Sequence, residues 1–178
     1  LMPRMPASSS SAAVRALSER LLVSQAAVPE NKPVDTSFIS LRVNRLLAMG
    51  NVDQALSLLN LVSEERMNED LSRIKIEATF FNNDNAGACD AVQKAQGKYA
   101  GFYWSQAQAF CLALSGDHSR AALIADLIRE RDDAIEPAFF TAIDALAGAR
   151  EQGVAGLKSP MALHLAMLRA AKLQVPAE

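Results

Sequence analysis

The chain has 178 residues, enough for one domain with a real hydrophobic core, and half of them are hydrophobic. A formal net charge of -2 at pH 7 gives no global reason to expect nucleic acid or an anionic membrane as partner. No apolar run approaches the roughly 18 residues needed to span a bilayer, and sparse Gly and Pro beside abundant Ala and Leu suit an all-helical domain.

Leu1 to Ser11 reads as a flexible Pro/Ser-rich leader. The chain begins at Leu1 rather than a methionine, which leaves open a processed protein or a piece of a longer one, with any targeting segment out of view. A first helix fits Ala12 to Ala26, with Val14, Leu17, Leu21 and Leu22 on one stripe and Arg15, Glu19 and Arg20 opposite. Val28-Pro-Glu-Asn-Lys-Pro33 breaks it, and Asp35-Thr36-Ser37 offers N-caps for a second helix to Met49. Gly50-Asn51 closes a tight turn into a third helix over Val52 to Val62. Two more pairs follow, Asn68 to Asn82 with Asn85 to Ala95, and Phe102 to Ser115 with Ser119 to Arg131. Pro137 suits the first turn of an eighth helix, to about Ala149. Ser159-Pro160 starts the last, which carries Met161, Leu165, Leu168 and Leu173.

The three pairs repeat. Leu41 to Leu56, Ile74 to Cys89 and Ala107 to Ala122 align without a gap at a spacing of 33 residues. Gly50, Asn83 and Gly116 share the turn slot, where Asn is the residue next most tolerant of a left-handed backbone after glycine. Ala55, Ala88 and Ala121 share a slot where a methyl side chain lets two helices approach closely. A fixed period of this size predicts antiparallel helical hairpins, each burying its apolar face on the next. The expected fold is all-α, a right-handed superhelix (α-solenoid) of about nine helices. It is read as a single domain over 12–178, with repeats at about 36–65, 68–98 and 102–131 and terminal helices over 137–149 and 160–173.

Gly50-Asn-Val-Asp-Gln-Ala55-Leu resembles the turn and second-helix start of a tetratricopeptide repeat (TPR), and Gly116-Asp-His-Ser-Arg-Ala121 is a looser match. The resemblance covers roughly residues 38–131 and is degenerate. The first-helix pattern and the closing proline are absent, Arg42, Lys75 and Gln108 stand where an apolar residue is expected, and the period is one short of the usual 34 or so. The unit is TPR-like, and the whole chain is similar to uncharacterised helical-repeat proteins of bacterial envelopes. That resemblance implies a protein or peptide as partner. The sequence has no glycine-rich phosphate loop, no Gly-x-Ser-x-Gly and no His-Glu-x-x-His, so neither catalysis nor a cofactor is expected.

Cys89 and Cys111 lie on consecutive helices, each eleven residues from Ala100 in the intervening turn, so they fall level across an antiparallel pair. Level residues on facing helices reach the Cα separation of about 4.4–6.8 Å that a disulfide needs. The alternative is two buried thiols acting as small hydrophobes. A disulfide points to an oxidising compartment such as a periplasm, and free thiols leave a cytoplasmic location equally open. Two cysteines without a histidine cluster fall short of a metal site.

The first helices of such hairpins line the concave wall of a solenoid. There they place Arg42, Arg45 and Lys75, with Gln108 extending the row, as candidate contacts for an acidic segment or a peptide carboxylate; the alternative is a solvated face. Tyr99, Phe102, Tyr103 and Trp104 form the one dense aromatic cluster, read as packing around the hairpin entry with Trp104 buried. Asn82-Asn-Asp-Asn85 reads as a capped turn rather than a cation loop. His118 and His164 lack acidic or serine partners at a recognisable spacing. Glu69 and Asp70 suit a helix first turn, and Glu64-Glu65 and Asp132-Asp133 carry no acid/base pattern. Three functions follow: a binding scaffold, a structural subunit of an envelope or motor assembly docked through Leu163, Met167 and Ala170, or the accessory superhelical domain of a glycan-cleaving enzyme.

Overall fold

The computed structural model describes residues 10–24, 36–131, 135–149, 154, 157 and 161–174. Among the described residues the chain is all-α, with nine α-helices and no strand. They are α1 (Ala12–Val23), α2 (Thr36–Ala48), α3 (Val52–Asn60), α4 (Glu69–Phe81), α5 (Asn85–Ala95), α6 (Phe102–Leu114), α7 (His118–Arg131), α8 (Pro137–Leu146) and α9 (Ala162–Ala170). Ends fall within three residues of the expected ones throughout. The leader up to residue 9, the 28–33 breaker, the caps expected from Asp35-Thr36-Ser37, Asp132-Asp133 and the Ser159-Pro160 helix start lie outside the described residues and side chains. The chain forms two compact units, Leu1–Ala78 and Thr79–Glu178, whose boundary falls within α4.

The first unit is organised by the α2–α3 hairpin. Helix α2 stops because Gly50 takes a left-handed backbone, φ 79°. The Asn51 N–H then donates to the Leu46 carbonyl and the Gly50 N–H to the Leu47 carbonyl, satisfying the orphan acceptors of the last turn. Chain reversal there packs Val43 and Leu46 of α2 against Ala55 and Leu59 of α3, with Leu22 and Leu71 completing the buried cluster. Each large aliphatic side chain so buried contributes about 1.5–3 kcal/mol. At the start of α4 the Asn68 Oδ1 accepts the Leu71 N–H, and Glu69 and Asp70 occupy the first turn as expected.

Helix α1 departs from the sequence expectation. Of its apolar stripe only Leu22 is buried; Leu17 is 70% exposed, and Val14 and Leu21 are also open. The stripe's periodicity makes the helix, but α1 joins the unit mainly at its C-terminal end. There the Arg42 guanidinium donates to the Leu22 carbonyl at 2.6 Å and to the Ser24 carbonyl at 2.7 Å. Gln54 of α3 donates to Glu19 at 2.8 Å.

The second unit is built around α6, which packs against α5, α7, α8 and α9. Buried residues cover most of its circumference, Tyr103 and Trp104 at its start and Ala107, Phe110 and Ala113 further on, as in a central helix, and leave Ser105, Gln108 and Leu112 half-buried along one side. Phe110 meets Phe80 with ring centroids 5.5 Å apart. Ala88 and Ala121 are both buried, on α5 and α7. Pro137 sits in the first turn of α8 as expected. The sequence expected Leu163, Met167 and Ala170 of α9 to form an exposed docking stripe, and that expectation is corrected. Leu163 and Met167 are fully buried, because α9 folds back onto α8 and α6. Arg169 of α9 reaches the other way and donates to the Phe80 and Phe81 carbonyls at the end of α4.

Candidate functional site

The strongest local feature of the second unit is covalent. Cys89 on α5 and Cys111 on α6 are joined in a disulfide with a Cα separation of 5.4 Å. Their helices reverse through Gly97, φ 79°, and Gly101, φ 127° at the N-cap of α6. Both conformations favour glycine. With Cys89 level with Cys111, counting inward along the antiparallel pair brings Gln93 level with Ala107 and its neighbour Gln108.

The bridge lines an open groove of about 530 Å³, whose walls come from α5 and α6, with Arg120 contributed by α7. That volume lies within the range of about 300–1,000 Å³ of ligand clefts. Its apolar lining is the disulfide with Val92, Leu112 and Trp104; its polar lining includes Gln93, Gln96, Gln108 and Ser115. The groove's two charges are each neutralised by a neighbour. Asp90 is paired with Lys94 at 2.6 Å. Arg120 donates through its side chain and its backbone N–H to Asp117, and these bonds hold the Asp117 carboxyl below its usual range.

Trp104 is buried as expected, and so is Tyr103. Tyr99 stacks on Trp104 at 5.0 Å and Tyr103 meets it edge-on at 5.3 Å. The indole is therefore a packed part of the wall, not an open platform.

Of the four residues in the expected cationic row, Gln108 lines this groove. Arg42, Arg45 and Lys75 belong to the first unit. Arg42 is half-buried, and two of its N–H groups donate to carbonyls at the C-terminal end of α1, where a cation also complements the helix dipole. Burial lowers its pKa from the ordinary guanidinium value. Arg45 and Lys75 are half-buried and engaged in interactions of their own.

Comparison with family models, with curated proteins and with solved structures gives no match for this chain.

The remaining sequence candidates find local roles. Asn83 takes a left-handed backbone, φ 62°, and the Asp84 Oδ1 accepts the Gly87 N–H at 2.9 Å, so the 82–85 run is a capped turn. His118 opens α7 and is exposed. His164 is 3% exposed; its Nδ1 accepts the Met161 N–H, and burial lowers the imidazole pKa, partly opposed by Glu136. Among the described residues no three His, Cys, Asp or Glu side chains gather as metal ligands, and no helix is long and apolar enough to cross a membrane. Asp90, Gln93, Gln96 and Arg120 were not singled out from sequence. The inward register from Cys89 and Cys111 is the signal that finds Gln93, and Gln96 stands three residues further along.

Proposed function

We propose that this chain is a non-catalytic scaffold that binds a protein or peptide, built as a TPR-like right-handed α-solenoid and working in an oxidising compartment of a bacterial envelope. Element spacing supports the solenoid reading: α2, α4 and α6 start at Thr36, Glu69 and Phe102, and α3, α5 and α7 at Val52, Asn85 and His118, each 33 residues after the last. The turn residues Gly50, Asn83 and Gly116 keep the same spacing, and all have positive φ. The disulfide supports the compartment. The observation that carries the binding reading is the groove beside that disulfide, a concavity between two disulfide-linked consecutive helices with unused hydrogen-bonding side chains on both walls.

The test fills the groove. Ala86, exposed on α5, is changed in Ala86→Trp, and wild type and variant are used as bait in the native host with thermal melting as the folding control. Specific partners held by wild type and lost by a normally melting variant are the expected result. Identical partner sets from both proteins would remove the groove from the proposal.

A second reading has one supporting observation. The exposed stripe of Val14, Leu17 and Leu21 on α1 suits a structural subunit that docks a neighbour through its first helix.

A further inference from the structure

The groove's chemistry narrows the partner further, on the reading that it is a binding site at all. An acidic segment, expected from the cationic row, finds little here. The groove's one guanidinium, Arg120, is held by Asp117, and its one carboxylate, Asp90, by Lys94. Formal charge in the lining sums to zero and each charge already has an opposite partner beside it, so the groove offers no net field that selects an anionic or a cationic ligand. A sugar or a nucleobase would need an exposed aromatic face, and Trp104 is packed between Tyr99 and Tyr103 at 8% exposure.

What remains unengaged is amide. Among the described residues, no hydrogen bond takes up the side-chain carboxamides of Gln93, Gln96 or Gln108. Gln93 and Gln96 stand three residues apart at the end of α5, so they share a face. Gln108 lines the groove from the facing helix, next to Ala107, which comes level with Gln93 about one turn inward of the bridge. A carboxamide carries two N–H donors and a carbonyl acceptor, the same complement as a peptide group, and it pairs with a main-chain N–H and C=O together. Extended polypeptide is the ligand class that presents such groups in series with its own hydrogen bonds unmade. The apolar lining of Val92, Leu112 and the disulfide then suits small uncharged side chains.

We infer that the groove takes a short, uncharged, extended polypeptide segment, gripped through its main chain by the carboxamides of Gln93, Gln96 and Gln108.

The test pans a random dodecapeptide display library on the oxidised full chain, with counter-selection on Ala86→Trp, and measures enriched peptides by fluorescence anisotropy. The expected peptides carry no charge consensus. Their affinity changes little with salt and is lost when main-chain amides of the bound stretch are N-methylated. Gln93→Leu, Gln96→Leu and Gln108→Leu, melting like wild type, each weaken binding about tenfold, the effect of one lost hydrogen bond worth about 1.4 kcal/mol. Enriched peptides with an acidic run, salt-sensitive and indifferent to the three leucine variants, would overturn main-chain recognition while leaving a binding scaffold in place. No enrichment over Ala86→Trp would overturn both the inference and the groove reading beneath it.

Discussion

Removing the Cys89–Cys111 bridge tests how far the second unit depends on it. The two residues are 22 apart in sequence and both lie in the unit Thr79–Glu178. Closing a loop of that length restricts the unfolded chain by about 11 cal/mol/K, or about 3.4 kcal/mol at room temperature. A 100-residue body unfolds with an entropy of about 0.2 kcal/mol/K, so that free energy corresponds to a fall in Tm of about 16 °C. If all 178 residues melt together, the entropy is nearer 0.37 kcal/mol/K and the fall about 9 °C. The perturbation is the double variant Cys89→Ala/Cys111→Ala, compared with wild type under non-reducing conditions. Far-UV circular dichroism follows every helix. Fluorescence of the single tryptophan, Trp104, follows the second unit alone, so coincidence or separation of the two curves chooses between the two magnitudes. A fall of less than about 4 °C by both probes would mean a contribution under about 1.5 kcal/mol even if the whole chain melts together, and the loop-closure reasoning fails. The same wild-type protein, taken from its native host and denatured without reductant, is expected to show no titratable thiol. Two free thiols there would remove the support for an oxidising compartment.

Four further outcomes follow from individual residues. His164 has a folded pKa below the usual 6.5, so the unfolded chain binds the extra proton; stability is full above 6.5 and falls as pH drops through it. Urea midpoints at about pH 7.5 and about pH 5.5 should differ for wild type and converge for His164→Asn, and a wild-type midpoint that rises on acidification contradicts the assignment. Gly101→Ala meets no steric neighbour, since no heavy atom lies within 4 Å of an added Cβ, but it forces alanine to φ 127°; the expected loss is about 1–3 kcal/mol by denaturant titration. Lys172 holds φ 56° at the end of α9, so Lys172→Gly should stabilise by about 0.5 kcal/mol, the left-handed penalty relieved less the entropy glycine adds to the unfolded state. Arg42→Met keeps the aliphatic stem and removes the two carbonyl contacts; hydrogen exchange should show α1 opening more easily by about 2 kcal/mol, and unchanged protection in Ala12–Val23 would show that α1 does not depend on this cation.

What was legible in the sequence is what local chemistry decides. Gly50, Asn83 and Gly116 end helices because each takes the left-handed backbone that closes the last turn, which glycine and asparagine tolerate best. The disulfide was within reach because an antiparallel pair with a short connection carries its own register. Periodicity, by contrast, identifies an apolar face without saying what covers it. Val14, Leu17 and Leu21 form such a face and are open, whereas Leu163 and Met167 form another and are buried against α8 and α6. The deciding contact is between elements, and a helical pattern contains no information about it.

The cations show the same limit with a functional consequence. Arg42 stands in a slot where a charge reads as a solvated or partner-facing residue, yet its acceptors are carbonyls 20 and 18 positions earlier. Arg169 caps α4 from 88 and 89 positions away. Neither acceptor is visible in the residue's own neighbourhood, because a carbonyl at a helix end belongs to the backbone and leaves no trace in side-chain composition. Charge reversal at Arg42 would therefore release α1 as well as change any surface it touches. A partner lost from that variant would report on the helix, not on recognition. Gln108 suits the question better, being the residue of the cationic row that lines the groove and whose carboxamide makes no hydrogen bond among the described residues. Loss of binding on Gln108→Leu with an unchanged melt would trace recognition to a carboxamide, and retention would move the site elsewhere on the molecule.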